Sequence, residues 1–263
     1  AKIKPFPVPL PPLETQKKIA AVLEKADQLR KDCHQMEQEL NSLAKSVFVD
    51  VFGDPVTNPK GWEVNTLDAV AKVQIGPFGT QLHKHDYISN GVPLINPTHI
   101  KAGGIVPNHD LTVAPQKFRE LSQYHLSVGD IIMGRRGEMG RTAVIGEKSD
   151  GWFCGTGSLF VRPNTKQVLP IFLNSVLSCA SMKTWLEEQS LGATMPNLNK
   201  KILHAIKVPI PPIELQKNYD KALQLVASQK LQQLEELLEF ETLFNALMQK
   251  AFKGELNLKE QAA

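Results

Sequence analysis

The ten residues Val8-Pro9-Leu10-Pro11-Pro12-Leu13-Glu14-Thr15-Gln16-Lys17 return as Val208-Pro209-Ile210-Pro211-Pro212-Ile213-Glu214-Leu215-Gln216-Lys217, at a constant offset of 200 positions. The same offset pairs Leu23 with Leu223, Leu43 with Leu243 and Phe52 with Phe252, so the duplication runs well past the proline box. Self-similarity at a fixed offset marks two copies of one supersecondary unit. In each copy the Pro-Pro step ends an extended segment, because proline has no N–H to give and drives the residue before it out of the helical region. A helix is predicted to begin at Glu14 and again at Glu214, each carboxylate set against the positive end of the helix dipole.

The first helix carries Ile19, Val22, Ala26, Leu29, Cys33, Met36, Leu40, Leu43 and Val47 at spacings of three and four, which reads as a coiled-coil seam over four heptads. In the second copy Ala227, Leu231, Leu234 and Leu238 begin a seam that Phe240, Phe244, Leu247 and Ala251 continue after a phase shift, so a less regular helix is expected there. Glu14 to Phe52 spans roughly 58 Å as a helix. Gly53 and Gly254 follow the two helices, where a left-handed cap residue is expected. An antiparallel hairpin of this kind can serve only for stability. Two equivalent rods with equal lead-ins point further, to a spacer with two equivalent docking surfaces.

Between the helices the periodicity stops, and Gly, Pro and Asn recur every several residues. Val70–Ile75, Val92–Ile95, Asp130–Met133, Arg141–Ile145 and Ser158–Val161 read as strands, and Leu169–Leu177 and Met182–Gln189 as helices. The expected class is α+β: a mixed α/β globular domain plus two long helices forming an antiparallel coiled-coil hairpin, with the domain at one tip. The expected boundaries are a remnant strand and proline-rich lead-in at 1–13, a long helix at 14–54, the globular domain at 55–205, a second lead-in at 206–213, the second long helix at 214–256 and a tail at 257–263.

The net charge is +3, and its surplus is central: residues 55–205 hold 15 Lys+Arg against 11 Asp+Glu, and six of the seven histidines. An anionic partner would meet the middle of the chain. Three cysteines without a CxxC pair argue against a disulfide framework or a zinc cluster and fit a reducing cytoplasm. No apolar run reaches the ~20 residues of a membrane span, and no signal peptide is visible. The opening Ala1-Lys2-Ile3-Lys4-Pro5-Phe6 reads as the inside of something longer.

Three central stretches carry a resemblance. The first is Gly76-Pro77-Phe78-Gly79-Thr80-Gln81-Leu82 with Asp86-Tyr87 and Gly91-Val92-Pro93-Leu94-Ile95. The second is Gly129-Asp130-Ile131-Ile132-Met133-Gly134-Arg135-Arg136-Gly137 with Gly140-Arg141 and Gly155-Thr156-Gly157-Ser158. The third is Gly192-Ala193-Thr194-Met195-Pro196-Asn197-Leu198-Asn199, running into Ile206-Lys207-Val208. In this order, and with both helical copies, they resemble the specificity subunit of a Type I restriction-modification enzyme. The resemblance implies a target-recognition domain that reads one half of a split site in double-stranded DNA, and long helices that fix the spacing and bind two DNA adenine methyltransferase subunits. It implies that catalysis, and S-adenosylmethionine, belong to the methyltransferase partner, and that the motor endonuclease subunit is reached indirectly. Family members usually have two recognition domains, whereas this chain has one; it reads as a C-terminal half or a natural half-subunit that would pair head to tail with a second copy.

The DNA-contacting candidates follow from side-chain chemistry. Arginine binds phosphate or the guanine edge in two-pronged fashion, and Asn or Gln binds the adenine edge. Arg135 and Arg136 stand in a glycine-flanked loop after a buried strand, where both side chains are expected to swing out, and Arg141 follows another glycine. Gln81, His83, Lys84 and His85 form a second set, Asn96, Thr98, His99 and Lys101 a third, and Thr194, Asn197, Asn199, Lys200 and Lys201 a fourth. Simple surface loops are the plain alternative for each. No metal site and no catalytic residue is expected. A hydrolase built on Cys154 would need a histidine base, and none stands in a partner motif. Gly155-Thr156-Gly157 lacks the rest of a phosphate loop, and Pro211-Pro212 lacks the flanks of an adenine-methyltransferase tetrapeptide. A protein-protein scaffold without a DNA surface is the remaining alternative.

Overall fold

The computed structural model describes residues 10–101, 104–136, 140–189 and 197–256. The strand expected before Leu10 and the tail expected after residue 256 lie outside the described residues. The chain divides into two compact units: a head, 47–221, and a helical unit made by the segments up to Ser46 and from Ala222 onward.

The helices are α1 (Leu13–Phe52), α2 (Leu67–Val70), α3 (Pro115–Glu120), α4 (Pro170–Ser178), α5 (Ala180–Gln189), α6 (Lys200–Ala205) and α7 (Ile213–Lys253). At 40 and 41 residues, α1 and α7 are each about 60 Å long. Gly53 and Gly254 take the expected left-handed conformation after them, with φ of 79° and 75°.

The duplicated proline box folds the same way twice. Gln16 Nε2 donates to Pro11 O at 2.7 Å and Gln216 Nε2 to Pro211 O at 2.9 Å. The ion pairs Lys17–Glu14 (3.0 Å) and Lys217–Glu214 (2.8 Å) repeat as well. Surroundings distinguish the copies: Gln16 is exposed, whereas Gln216 is fully buried and also holds Leu169 N (2.8 Å) and Gln167 O (3.0 Å).

In the helical unit α1 and α7 run antiparallel: Lys230 donates to Asn41 at 2.7 Å, while the Arg30 guanidinium lies 4.7 Å from the Phe244 ring centre. The seam differs in phase from the sequence expectation. Ile19, Ala26, Cys33 and Leu40 are covered as expected, but their companions are Leu23, Arg30 and Ala44; Val22, Leu29, Met36 and Leu43 stand 36–46% exposed. On α7 the covered residues Val226, Lys230, Gln233, Leu237, Phe240, Phe244, Leu247 and Ala251 follow at four and three without a phase shift, and Leu231, Leu234 and Leu238 are 54–65% exposed. Two 3–4 frames share Ile19, Ala26, Cys33 and Leu40, and hydrophobicity alone favours the frame through Val22 and Leu29. The helix pair uses the other, because the arginine stem packs as an apolar group while its charged end rests on the Phe244 ring.

The head contains twelve strands among its described residues: β1 (Val64–Thr66), β2 (Ala71–Ile75), β3 (Tyr87–Ile88), β4 (Val92–Ile95), β5 (Ile100–Lys101), β6 (Gly104–Ile105), β7 (Thr112–Val113), β8 (Ile131–Gly134), β9 (Thr142–Val144), β10 (Phe153–Cys154), β11 (Ser158–Pro163) and β12 (Lys207–Pro209). One antiparallel sheet has the order β2-β11-β8-β9, and a second the order β10-β4-β7-β3 with β10 parallel to β4. β8 and the first four residues of β11 are buried on both faces, which is why they read as unbroken apolar runs. Leu94, Ile95, Val113 and Phe153 of the second sheet join Ile132 and Phe160 of the first in one core. β1 pairs antiparallel with β12, so the chain enters and leaves the globular part side by side. There Phe48 and Phe52 of α1, Phe172 of α4 and Tyr219 of α7 form an aromatic knot, with the Phe52 and Phe172 ring centres 4.7 Å apart and Tyr219 Oη 2.9 Å from Ser175 Oγ. Each such ring contributes about 2–3 kcal/mol by burial alone.

Candidate nucleic-acid interface

Loops from five parts of the sequence gather at one end of the β2-β11-β8-β9 sheet. Gly76 N donates to Ser158 O (3.0 Å), Arg135 N to Gly157 O (3.1 Å) and Leu198 N to Arg135 O (3.0 Å), while Arg136 and Asn197 form a β-bridge. Gly157 N donates to Asn96 Oδ1 at 3.3 Å. The turn 155–157 is the hub, and glycine is required there: a Cβ on Gly155 would lie 2.3 Å from Asn96 Oδ1 and 2.8 Å from Ile95 O. Members of three predicted sets, Arg135 and Arg136, Asn96, and Asn197, are thus brought together around residues that are close only in the fold.

The two arginines do not both swing out. Arg136 is exposed, but Arg135 is 3% exposed, its guanidinium 5.6 Å from the Phe78 ring centre and its Nε without a hydrogen-bond partner. Burial, and then the neighbouring Arg136 charge, lower the Arg135 pKa from its ordinary value. Successive side chains on a strand point to opposite faces, and Arg135 continues β8 inward. His99 is a second correction: it is buried, with Nδ1 2.9 Å from Leu94 O and 3.2 Å from Asn96 N, and it closes the turn after β4.

Other candidates already spend an acceptor inside the fold. Asn96 is half-buried and holds the Gly157 amide. Gln81 Oε1 accepts from Tyr124 Oη (2.8 Å) and Phe78 N (3.3 Å). Asn199 caps α6 by accepting from Ile202 N at 3.0 Å, which leaves Lys200 exposed in the first turn. Lys84, Thr98 and Lys101 are exposed; Arg141 and Asn197 are half-buried. His83 is exposed and stacks on His85 with ring centres 5.5 Å apart. The Asp86 carboxylate accepts from His83 N at 2.7 Å, and that bond first, with Lys117 and the histidines nearby, holds its pKa below the usual range against the opposing effect of burial. Thr194 lies outside the described residues.

Two structural features escaped the sequence reading. Phe78 is 59% exposed, and the available signal was an aromatic set between Pro77 and Gly79, away from any periodic core pattern. Arg162 binds the buried Asp130 through two nitrogens at 2.7 and 2.6 Å, an arrangement that no local motif announces. Cys154 is fully buried, and burial pushes its thiol pKa far up. A group held protonated and sealed from solvent is no nucleophile, so the hydrolase alternative falls.

The architecture is thus an α+β head with polar, glycine-rich loops gathered at a sheet end, joined in one chain to a long antiparallel helix pair. The profile of the Type I restriction modification DNA specificity domain matches residues 59–239, and the chain belongs to that family. It is 24% identical over 282 residues to the Type I restriction enzyme EcoBI specificity subunit of Escherichia coli, covering 97% of this chain and 59% of the relative. Against the MjaVIII specificity subunit of Methanocaldococcus jannaschii it is 24% identical over 270 residues, covering 95% and 60%. Among solved structures, a chain of the type I R-M system matches with a TM-score of 0.65 at 25% identity, covering 95% of this chain and 62% of that one. The HsdS subunit from Thermoanaerobacter tengcongensis matches with a TM-score of 0.53 at 25% identity, covering 95% and 60%. The chain therefore spans about three fifths of the length of these relatives. The EcoBI and MjaVIII relatives are specificity subunits. Among the described residues no helix is long and apolar enough to cross a membrane.

Proposed function

We propose that the head reads one half of a bipartite site in double-stranded DNA, and that the helix pair docks methyltransferase subunits of a Type I restriction-modification complex and fixes their distance from the head's target. The observation that carries this reading is the convergence, in a chain of the specificity family, of separate polar loops around the 155–157 turn, with Arg136 exposed beside Asn197. Lys84, Thr98, Lys101, Arg136 and Lys200 supply exposed donors, and Arg141 and Asn197 half-buried ones; His99 and Arg135 act from within. Phosphate contacts place the head, and contacts to base edges give the sequence choice.

The apolar ridges left outside the seam support the docking role. Val22, Leu29, Met36 and Leu43 recur every seven residues on α1, and Leu231, Leu234 and Leu238 form a second ridge on α7. Helices in water bury such stripes against other helices. At the first copy of the proline box Leu10, Leu13 and Gln16 are exposed, where Gln216 in the second copy is buried against the head. That face suits an equivalent head, supplied by a second copy paired head to tail. The chemical step, with its S-adenosylmethionine, belongs to the methyltransferase, and the motor endonuclease joins through it.

The test is co-expression with a modification subunit of a Type I system, followed by mapping of methylated adenines across the host genome. A split motif is expected, symmetric if two copies pair. Methylation with no shared motif, or a purified complex that binds all duplexes alike, refutes the reading.

A further inference from the structure

The turn after β2 holds an aromatic ring out into solvent and is itself pinned by hydrogen bonds. Gly76 leaves the sheet so close to the 155–158 turn that a Cβ would lie 2.1 Å from Gly155 O, and Pro77 behind it is buried. Phe78 N donates to Gln81 Oε1 (3.3 Å), Gln81 N donates to Phe78 O (2.9 Å), and the core residue Tyr124 donates to the same Gln81 oxygen (2.8 Å). Phe78 nevertheless remains 59% exposed. A lone exposed apolar side chain is ordinary. An exposed ring in a pinned turn, backed by a buried guanidinium whose Nε has no partner, is not. The cation holds the ring by its π face, and Arg136 and the unpartnered Asn197 Oδ1 belong to the same loop cluster.

We propose that Phe78 is a base-contacting residue of the head, laid as a rigid apolar plate against a nucleobase of duplex DNA, with Arg135 as its positioning residue. In an intact duplex stacked neighbours cover the π faces of each base, so the apolar group a phenyl ring meets at a base edge is the thymine methyl in the major groove. A phenylalanine at a DNA surface can also enter a base step as a wedge. Arg135 acts through the ring: the buried charge fixes the plate without itself reaching the duplex.

The inference rests on the DNA-reading proposal and is tested in the complex with a modification subunit. The wild-type complex first defines a motif; binding is then measured to a duplex carrying it and to a scrambled duplex of equal composition. Phe78→Ala is expected to weaken motif binding about fivefold or more, the loss of one buried apolar contact to a base, with scrambled binding, salt dependence and unfolding midpoint unchanged. Phe78→Trp is expected to restore it. Arg135→Lys is expected to weaken motif binding in the parent and to add nothing in the Phe78→Ala background. Wild-type motif affinity in Phe78→Ala overturns the proposal while leaving the DNA-reading role intact, and so does an equal loss on both duplexes. Additive effects of the two substitutions make Arg135 a structural residue and overturn its assignment. A wild-type complex with no motif removes the DNA-reading role, and this inference with it.

Discussion

Replacing Gln216 by leucine keeps about the same volume and deletes three hydrogen bonds at once. Its Oε1 accepts from Leu169 N, and its Nε2 donates to Gln167 O and Pro211 O, all at 2.8–3.0 Å around a side chain with no solvent exposure. Gln167 is exposed, so its carbonyl can recover water, but Leu169 and Pro211 lie in part-buried and buried surroundings. Two groups left unpaired at about 1–3 kcal/mol each predict a loss of roughly 2–6 kcal/mol. Gln16→Leu is the built-in control. It removes the same bond to the same position of the repeat, at an exposed site, and is expected to cost under about 1 kcal/mol. Urea unfolding followed by tryptophan fluorescence reads the head selectively for the Gln216 variant, because Trp62, Trp152 and Trp185 all lie within 47–221. Far-ultraviolet circular dichroism follows the long helices for Gln16. A Gln216→Leu loss below about 1 kcal/mol would falsify the claim that burial, and not the motif, sets the energy of this bond.

Three further outcomes are expected. Burial alone would raise the Asp54 carboxyl pKa, but hydrogen bonds from Ser181, Thr57 and Val56 outweigh it and hold the group below its ordinary value. Its contribution is therefore present above about pH 4 and lost as pH falls through the lowered value. Asp54→Asn should reduce stability at pH 7, and the gap to the parent should close in acid; a gap that widens below pH 4 contradicts the assignment. Burial raises the thiol pKa of Cys33, Cys154 and Cys179, so a thiol reagent at pH 8 should label the native chain slowly and the denatured chain at all three, and fast native labelling of Cys154 would count against its sealed position. Leu231→Gln with Leu234→Gln and Leu238→Gln, on the exposed ridge, should weaken binding to the modification subunit more than tenfold while leaving helix content unchanged; retained binding by pull-down moves the docking site elsewhere.

The long helices were legible because the proline box announces itself twice and each helix ends in a glycine that turns left-handed. The five strands read from short apolar runs are present at nearly the expected positions, and β8 and the start of β11, buried on both faces, were the plainest of them. The two-residue strands β3, β7 and β10 were not legible, because their pairing is decided by segments distant in sequence; β5 and β6 form a local hairpin, but two residues each are too few to show an alternating pattern. The seam phase was misread because Val22, Leu29, Met36 and Leu43 are the greasier choice. In the loops, residue type gave candidates, and non-local backbone groups decided which were free: His99 and Asn96 look like readers in sequence and serve as turn ties in the fold. The Arg135–Arg136 pair was half legible, since a strand that continues past Gly134 must send one of two neighbours inward.

Arg30 and Lys230 sit among the covered positions of an otherwise greasy helix pair. Leucines and alanines would cohere at several offsets, but a guanidinium over Phe244 and an ammonium on Asn41 exist at one. Sliding one helix by seven residues would set Arg30 against Leu237 or Ala251, neither of which has a π face, and would part Lys230 from Asn41. The two helices are keyed as well as glued. A change in their common length then requires matched insertions or deletions in both, in steps of seven residues or about 10 Å; drift by partial slippage is closed to them.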